Sequence, residues 1–208
     1  MLSRILSIVI GYLCGCFLTA ELIARKIAGK PAARVGDTGN PGMANIMTAL
    51  GFKPGITVLL GDIVKCLVAM TVSYLLFHKT GWIVTMYAGL GCTLGHDFPF
   101  WRGFRGGKGV ATSSSVFIIY SFWWGLLANI AGMLVTFATK YLCIAGPVIP
   151  LFFMLFMFLK GDVEAAILSL VLSGLALLCH LPSVLGIKSG KTKQTDVLGA
   201  LAKKFRKK

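Results

Sequence analysis

Charge is scarce in this chain of 208 residues: 13% of them are charged, and only seven are acidic. A soluble domain carries about 25% charged residues, so the shortage excludes an ordinary water-facing surface. Cysteine is present without pattern. The six cysteines, Cys14, Cys16, Cys66, Cys92, Cys143 and Cys179, fall in apolar segments with no C-x-x-C spacing, which argues against a disulfide framework or a zinc site and reads as buried apolar filler. No metal and no cofactor is expected. Also lacking are an internal repeat, a low-complexity tract and a convincing small-residue cleavage site before Glu21. The first apolar run is therefore expected to be kept as a span rather than removed as a signal peptide.

Hydrophobic residues fill the chain instead, at 56% of the total. A helix crosses a bilayer with about 20 apolar residues. Candidate spans run from Ile5 to Ala24, Gly55 to Phe77, Trp82 to Phe98, Val110 to Tyr120, Phe122 to Thr139, Cys143 to Leu159 and Val163 to His180. Length alone does not say whether Val110 to Thr139 is one tilted helix or two short ones turning near Ser121, but charge does. Arg25, Lys26, Lys30, Arg34 and Lys53 mark one basic loop, Arg102, Arg105 and Lys108 a second, and the tail after His180 a third. Basic loops stay cytoplasmic, so an even number of crossings separates the second from the tail and the stretch must be split. The expectation is an all-α, polytopic transmembrane helix bundle of seven spans, N-terminus outside and C-terminus cytoplasmic. It forms a single integral membrane domain over residues 1–208, with a basic tail at about 188–208. A formal net charge of +14 would suggest nucleic acid in a soluble protein; confined to loops, it reads as orientation and attraction to lipid headgroups, and no nucleic-acid partner is expected.

Two loops concentrate the polar chemistry. Gly106-Gly107-Lys108-Gly109 opens the helix expected from Val110. Consecutive glycines can turn backbone N–H groups into a common concavity, a helix N-terminus adds partial positive charge, and Lys108 adds a full one, so a phosphate suits the place. A nucleotide P-loop does not fit, because only three residues separate Gly103 from Gly107 and Gly109 stands where that motif has Ser or Thr. Taken alone, the loop also reads as a flexible basic turn. The first loop carries Arg34, Gly36, Thr38, Gly39, Asn40, Gly42 and Asn45, again small polar groups and backbone donors near a cation; its plainer reading is an interfacial turn. Together the two would hold a small phosphorylated substrate, or two phosphates at once.

Asp62 and Lys65 lie inside the second span at i, i+3, and read as a salt bridge supporting the site. Glu21 reads as a partner of Arg25. His78 is expected to be uninvolved, whereas His96 and His180 stand near the basic face, where either could reach a phosphate or take a proton.

The stretch Gly95 to Thr112, GHDFPFWRGFRGGKGVAT, closely resembles the signature of the bacterial acyl-phosphate-dependent glycerol-3-phosphate acyltransferase family. TGNPGMAN from Thr38, GDIVK from Gly61 and the segment after His180 resemble its other motifs more loosely. The resemblance implies a multi-pass enzyme of the bacterial inner (plasma) membrane with its active site on the cytoplasmic face, acyl phosphate and glycerol 3-phosphate as partners beside membrane lipids, and lysophosphatidic acid as product. By that match Lys108, Thr38 and His180 are the expected catalytic residues. Arg34, Gly39, Asn40, Gly42, Asn45, His96, Gly106, Gly107, Gly109 and Thr112 are the expected substrate-binding ones. The sequence departs from the pattern at Cys16, Leu18, Ala32, Ala44, Thr48, Leu181 and Thr192, which keeps open a relative with another polar acceptor or one that only binds lipid. The His-x-x-x-x-Asp pair of thioester-using acyltransferases is missing: Ile83, Trp101 and Leu185 stand at the aspartate position. A transporter is the remaining alternative, but it would show a row of polar residues through the membrane, and these spans offer only Asp62 and Lys65.

Overall fold

The computed structural model describes residues 1–192 and 194; the basic cluster from Lys203 to Lys208 lies outside the described residues. Nine α-helices follow in order among them: α1 (Leu2–Gly15), α2 (Thr19–Ala28), α3 (Met43–Leu50), α4 (Phe52–Phe77), α5 (Ile83–Asp97), α6 (Val110–Tyr120), α7 (Phe122–Thr139), α8 (Leu142–Leu159) and α9 (Val163–Lys188). No strand occurs among the described residues, in agreement with the all-α expectation.

Five stretches, Leu2–Ala28, Phe52–Thr80, Phe122–Thr139, Leu142–Leu159 and Val163–Lys188, are long and apolar enough to cross a bilayer. At 15 and 11 residues, α5 and α6 fall short of the about 20 that a full crossing takes. α5 is buried along most of its length, so other helices rather than lipid surround it. Ser121, with φ −148° and ψ 96°, is extended and divides the Val110–Thr139 stretch where the charge argument required a turn. Elsewhere large apolar side chains such as Leu75, Leu134, Leu159 and Leu178 lie exposed, a surface suited to lipid and costly in water.

Three elements differ from the sequence-based expectation. The first span is interrupted between α1 and α2, at Cys16–Leu18. The carbonyls this frees find side chains: Lys65 Nζ lies 3.4 Å from Gly15 O and 3.2 Å from Phe17 O, and Trp101 Nε1 donates to Cys16 O at 2.8 Å. In an apolar surrounding each orphaned backbone group would cost several kcal/mol. The first basic loop contains a helix, α3, started at Gly42 and ended at Gly51, whose φ of +100° a side chain would resist. Finally, the last helix does not stop at His180 but runs through Pro182 to Lys188.

Helices α1 and α5 cross backbone to backbone. A Cβ on Gly11 or Gly15 would overlap the Ala88 or Cys92 carbonyl, and one on Gly91 or Gly95 would overlap those of Ile8 or Tyr12. Both helices therefore present a small-x-x-x-small face to the other. Helix ends then gather in two layers. In one, Arg4 holds Glu164 through Nε at 2.6 Å and Nη2 at 2.9 Å, Thr80 bonds Ser3, and the Tyr120 hydroxyl donates to Asp162 at 2.6 Å. The two basic loops occupy the other.

Candidate active site

The site is organised from Glu21, buried in the first turn of α2. Its Oε1 accepts from Arg25 Nε at 2.7 Å, as the i, i+4 spacing implied. Its Oε2 accepts from the Ala32 amide at 3.0 Å and lies 3.7 Å from Arg102 Nη2. One carboxylate thus ties both basic loops to the same helix. Ala32, one of the departures from the family pattern, is fully buried at this contact.

Within the first loop the Thr38 hydroxyl donates to Asn45 Oδ1 at 2.9 Å, and Asn45 Nδ2 donates to Val35 O at 2.7 Å. Asn45 is an internal brace, expected to touch substrate but spent on its own loop. The second loop folds back on the end of α5. The Gly106 amide donates to Asp97 O at 2.8 Å and that of Gly107 to His96 O at 2.9 Å. A Cβ at either glycine would overlap His96, so close approach explains the pair. Those two N–H groups are consequently not aimed at an anion, which corrects the expectation of a glycine concavity. The donors left are Lys108 Nζ, the Arg105 guanidinium and the first turn of α6, whose amides have no intrahelical acceptor.

Asp62, Lys65 and His96 form a buried chain. Lys65 Nζ stands 2.9 Å from Asp62 Oδ1 and 2.7 Å from His96 Nδ1, while the opposite edge of the His96 ring faces Gly107. An ammonium donating to Nδ1 puts the ring proton on Nε2. His180 is 5% exposed, packs on Gly146 and lies against the backbone of Lys108. Lys108 Nζ donates to Ser183 Oγ on α9 at 3.0 Å.

These elements line an open cavity of about 300 Å³, bordered by Thr38, Gly39 and Asn40 of the first loop, Phe104 to Lys108 of the second, Asp97 and Phe98 at the end of α5, and Cys179 of α9. The structure therefore brings Thr38, Gly39, Asn40, Gly106, Gly107 and Lys108 together. Other expected residues stand behind the wall or away from it. Arg34 is exposed; Gly42 starts α3; His96 and His180 lie one layer back; Gly109, with φ +68°, caps α6; and Thr112 is fully buried, its hydroxyl bonded to Gly109 O at 2.9 Å. Ala44, Thr48, Leu181 and Thr192 lie outside the wall. Sequence reasoning missed Asp97, Arg105 and Cys179. The signal for Asp97 was an acidic residue inside an otherwise basic signature. A second, apolar cavity of about 390 Å³ flanks the α1–α2 break, lined by Leu13, Phe17, Leu22, Phe100 and Trp101 among others.

A family model described as Glycerol-3-phosphate acyltransferase matches residues 5–190. A protein of Lactobacillus johnsonii named Glycerol-3-phosphate acyltransferase 1 is 32% identical over 204 residues, 98% of this chain and 98% of the relative. Its namesake in Lactobacillus acidophilus is 34% identical with the same coverage. The crystal structure of PlsY (YgiH), an integral membrane glycerol 3-phosphate acyltransferase, in its glycerol 3-phosphate form has a TM-score of 0.82 at 28% identity, covering 96% of this chain and 98% of that one. The lysophosphatidic acid form has a TM-score of 0.81 at 26% identity. With the match running from the first helix to the end of the last, this chain belongs to the glycerol-3-phosphate acyltransferase family.

Proposed function

We propose that this chain moves a fatty acyl group from acyl phosphate to the primary hydroxyl of glycerol 3-phosphate, giving lysophosphatidic acid and inorganic phosphate. The observation that carries the reading is the meeting of Thr38 and Asn40 with Lys108 and Arg105 around one cavity. Acyl phosphate is a mixed anhydride with a good leaving group, so the protein has mainly to orient two anions and neutralise their repulsion. Lys108 and Arg105 supply that charge, and the Thr38 and Asn40 side chains supply hydrogen bonds to the polyol. The apolar cavity beside the α1–α2 break supports a place for the donor's hydrocarbon chain.

In this reading the chain is one integral membrane domain in a bacterial plasma membrane. α5 and α6 complete seven spans, the N-terminus faces outward, and the site and C-terminus face the cytoplasm. The confinement of the basic loops to one layer of helix ends supports that orientation. The departures at Ala44, Thr48, Leu181 and Thr192 fall outside the cavity wall, which favours the family's acceptor over another. Asp62 and Lys65 are engaged with each other and with the helix break, not with a polar path. The test is transfer of a labelled palmitoyl group by the detergent-purified chain from palmitoyl phosphate or palmitoyl-coenzyme A to a panel of phosphorylated and unphosphorylated polyols. Turnover with palmitoyl phosphate and glycerol 3-phosphate above all other pairs is expected; a preference for the thioester or for an unphosphorylated acceptor would overturn the reading.

A further inference from the structure

We infer that Phe104 holds the hydrocarbon chain of the acyl donor where that chain leaves the polar cavity. The inference rests on the function proposed above and adds to it the residue that reads the donor's apolar half. Phe104 has φ of +59°, in the left-handed region, where a bulky side chain is a strained outlier. The bend alone does not call for it. Gly103, one residue earlier, is left-handed at φ +60° without strain, and a second glycine or an asparagine would turn the chain as well. The conformation is pinned, because the Phe104 amide donates to Pro99 O at 3.1 Å and the Gly106 amide to Asp97 O at 2.8 Å. Nor does the ring repay the strain by packing: it is 60% exposed and belongs to neither core cluster of the described residues.

What the ring meets follows from its neighbours. Phe104 borders the polar cavity beside Arg105 and Lys108, whereas Phe100 and Trp101 of the same turn line the apolar cavity. One turn thus borders both spaces, with Phe104 on the polar side. An acyl phosphate has its parts in the same order: anionic head, carbonyl, hydrocarbon. With the head at Arg105 and Lys108, the hydrocarbon passes the Phe104 ring on its way towards Phe100 and Trp101. That contact removes apolar surface of both from water. Glycerol 3-phosphate has no such part, so the ring discriminates among donors and not among acceptors.

The test compares the full-length wild type, Phe104→Asn and Phe104→Leu in one detergent, with glycerol 3-phosphate and either palmitoyl phosphate or acetyl phosphate, which has no methylene to reach the ring. Asparagine accepts the left-handed backbone and offers little apolar surface; leucine keeps that surface. Burying one phenylalanine side chain is worth about tenfold or more, so the kcat/KM preference of Phe104→Asn for palmitoyl over acetyl phosphate should fall about tenfold. Phe104→Leu should keep most of the preference. As strain is released, the thermal midpoint of Phe104→Asn should rise by about 2–4 °C. An unchanged preference in Phe104→Asn would overturn the inference, whatever its absolute rate. A lowered midpoint would overturn it too, since the ring would then be packed within the protein. If the wild type does not turn over acetyl phosphate, the ratio of the KM for palmitoyl phosphate to that for glycerol 3-phosphate carries the comparison: it should rise about tenfold in Phe104→Asn, and an equal change in both constants would overturn the inference. Absence of wild-type turnover with palmitoyl phosphate would instead overturn the function on which it rests.

Discussion

Arg102 Nη2 lies 3.7 Å from Glu21 Oε2, and the same oxygen accepts from the Ala32 amide at 3.0 Å. A residue of the second basic loop and a residue of the first therefore share one buried carboxylate oxygen. Removing it orphans a guanidinium and an amide together, at about 1–3 kcal/mol each. Glu21→Ala should lower the thermal midpoint in detergent and raise the KM for glycerol 3-phosphate several-fold. Glu21→Gln, which keeps an oxygen for Ala32, should do less of both. Thermal unfolding by tryptophan fluorescence and steady-state kinetics on the same preparations check this.

Lys108 is half-buried and held to α9 by one bond to Ser183, so its removal costs little packing. Loss of a preorganised charge at a developing anion typically costs about 10²–10³-fold in rate. Lys108→Ala should lose at least that much phosphate release while keeping the wild-type elution volume and thermal midpoint.

The Asp62–Lys65 pair is buried, with residue exposures of 1% and 5%, and Lys65 also caps the carbonyls freed between α1 and α2. Breaking one partner of a buried pair costs about 3–5 kcal/mol, because the other charge is left uncompensated. Lys65→Met is expected to fall in that range, and the double variant Lys65→Met with Asp62→Leu to recover part of the loss. Guanidinium or thermal titration in a fixed detergent measures the difference.

Gly91 and Gly174 give a matched comparison. A Cβ on Gly91 would overlap the Ile8 carbonyl, whereas a Cβ on Gly174 meets nothing within 4 Å. Gly91→Ala must part α1 from α5, at about 1–3 kcal/mol or more, but Gly174→Ala gains helix propensity of about 1 kcal/mol. The two midpoints should move in opposite directions.

Much of the architecture follows from hydropathy and charge placement. The helices α6 and α7 begin and end where those rules put them, because a forced even number of crossings leaves a turn only at Ser121. The cavity loops were legible for the same reason that they are unusual: Thr38, Asn40 and Lys108 are polar residues where lipid-facing sequence has none. The α1–α2 break was not, since Cys16, Phe17 and Leu18 are apolar and nothing local announces that Lys65 and Trp101 will take up their carbonyls. The glycine loop misled for a physical reason. Gly106 and Gly107 look like anion donors in sequence, yet their absent side chains make room for His96, and their amides close onto α5. Asn45 likewise reads as a ligand until its two bonds within the loop are seen. The crossing of α1 with α5 was written plainly as Gly11, Gly15, Gly91 and Gly95 at four-residue spacing, a pattern that names a face but not its partner.

That crossing has a mechanical outcome. Two helices joined through their peptide groups behave as one strut, and both walls bearing Thr38 and Gly106 hang from its end, one through α2 and one from α5 itself. Their separation is consequently fixed by the rigid part of the molecule. α9 closes the remaining side of the cavity from outside that strut, through the Cys179 thiol at 3.6 Å from Asp97 Oδ2 and the Ser183 hydroxyl at 3.0 Å from Lys108 Nζ.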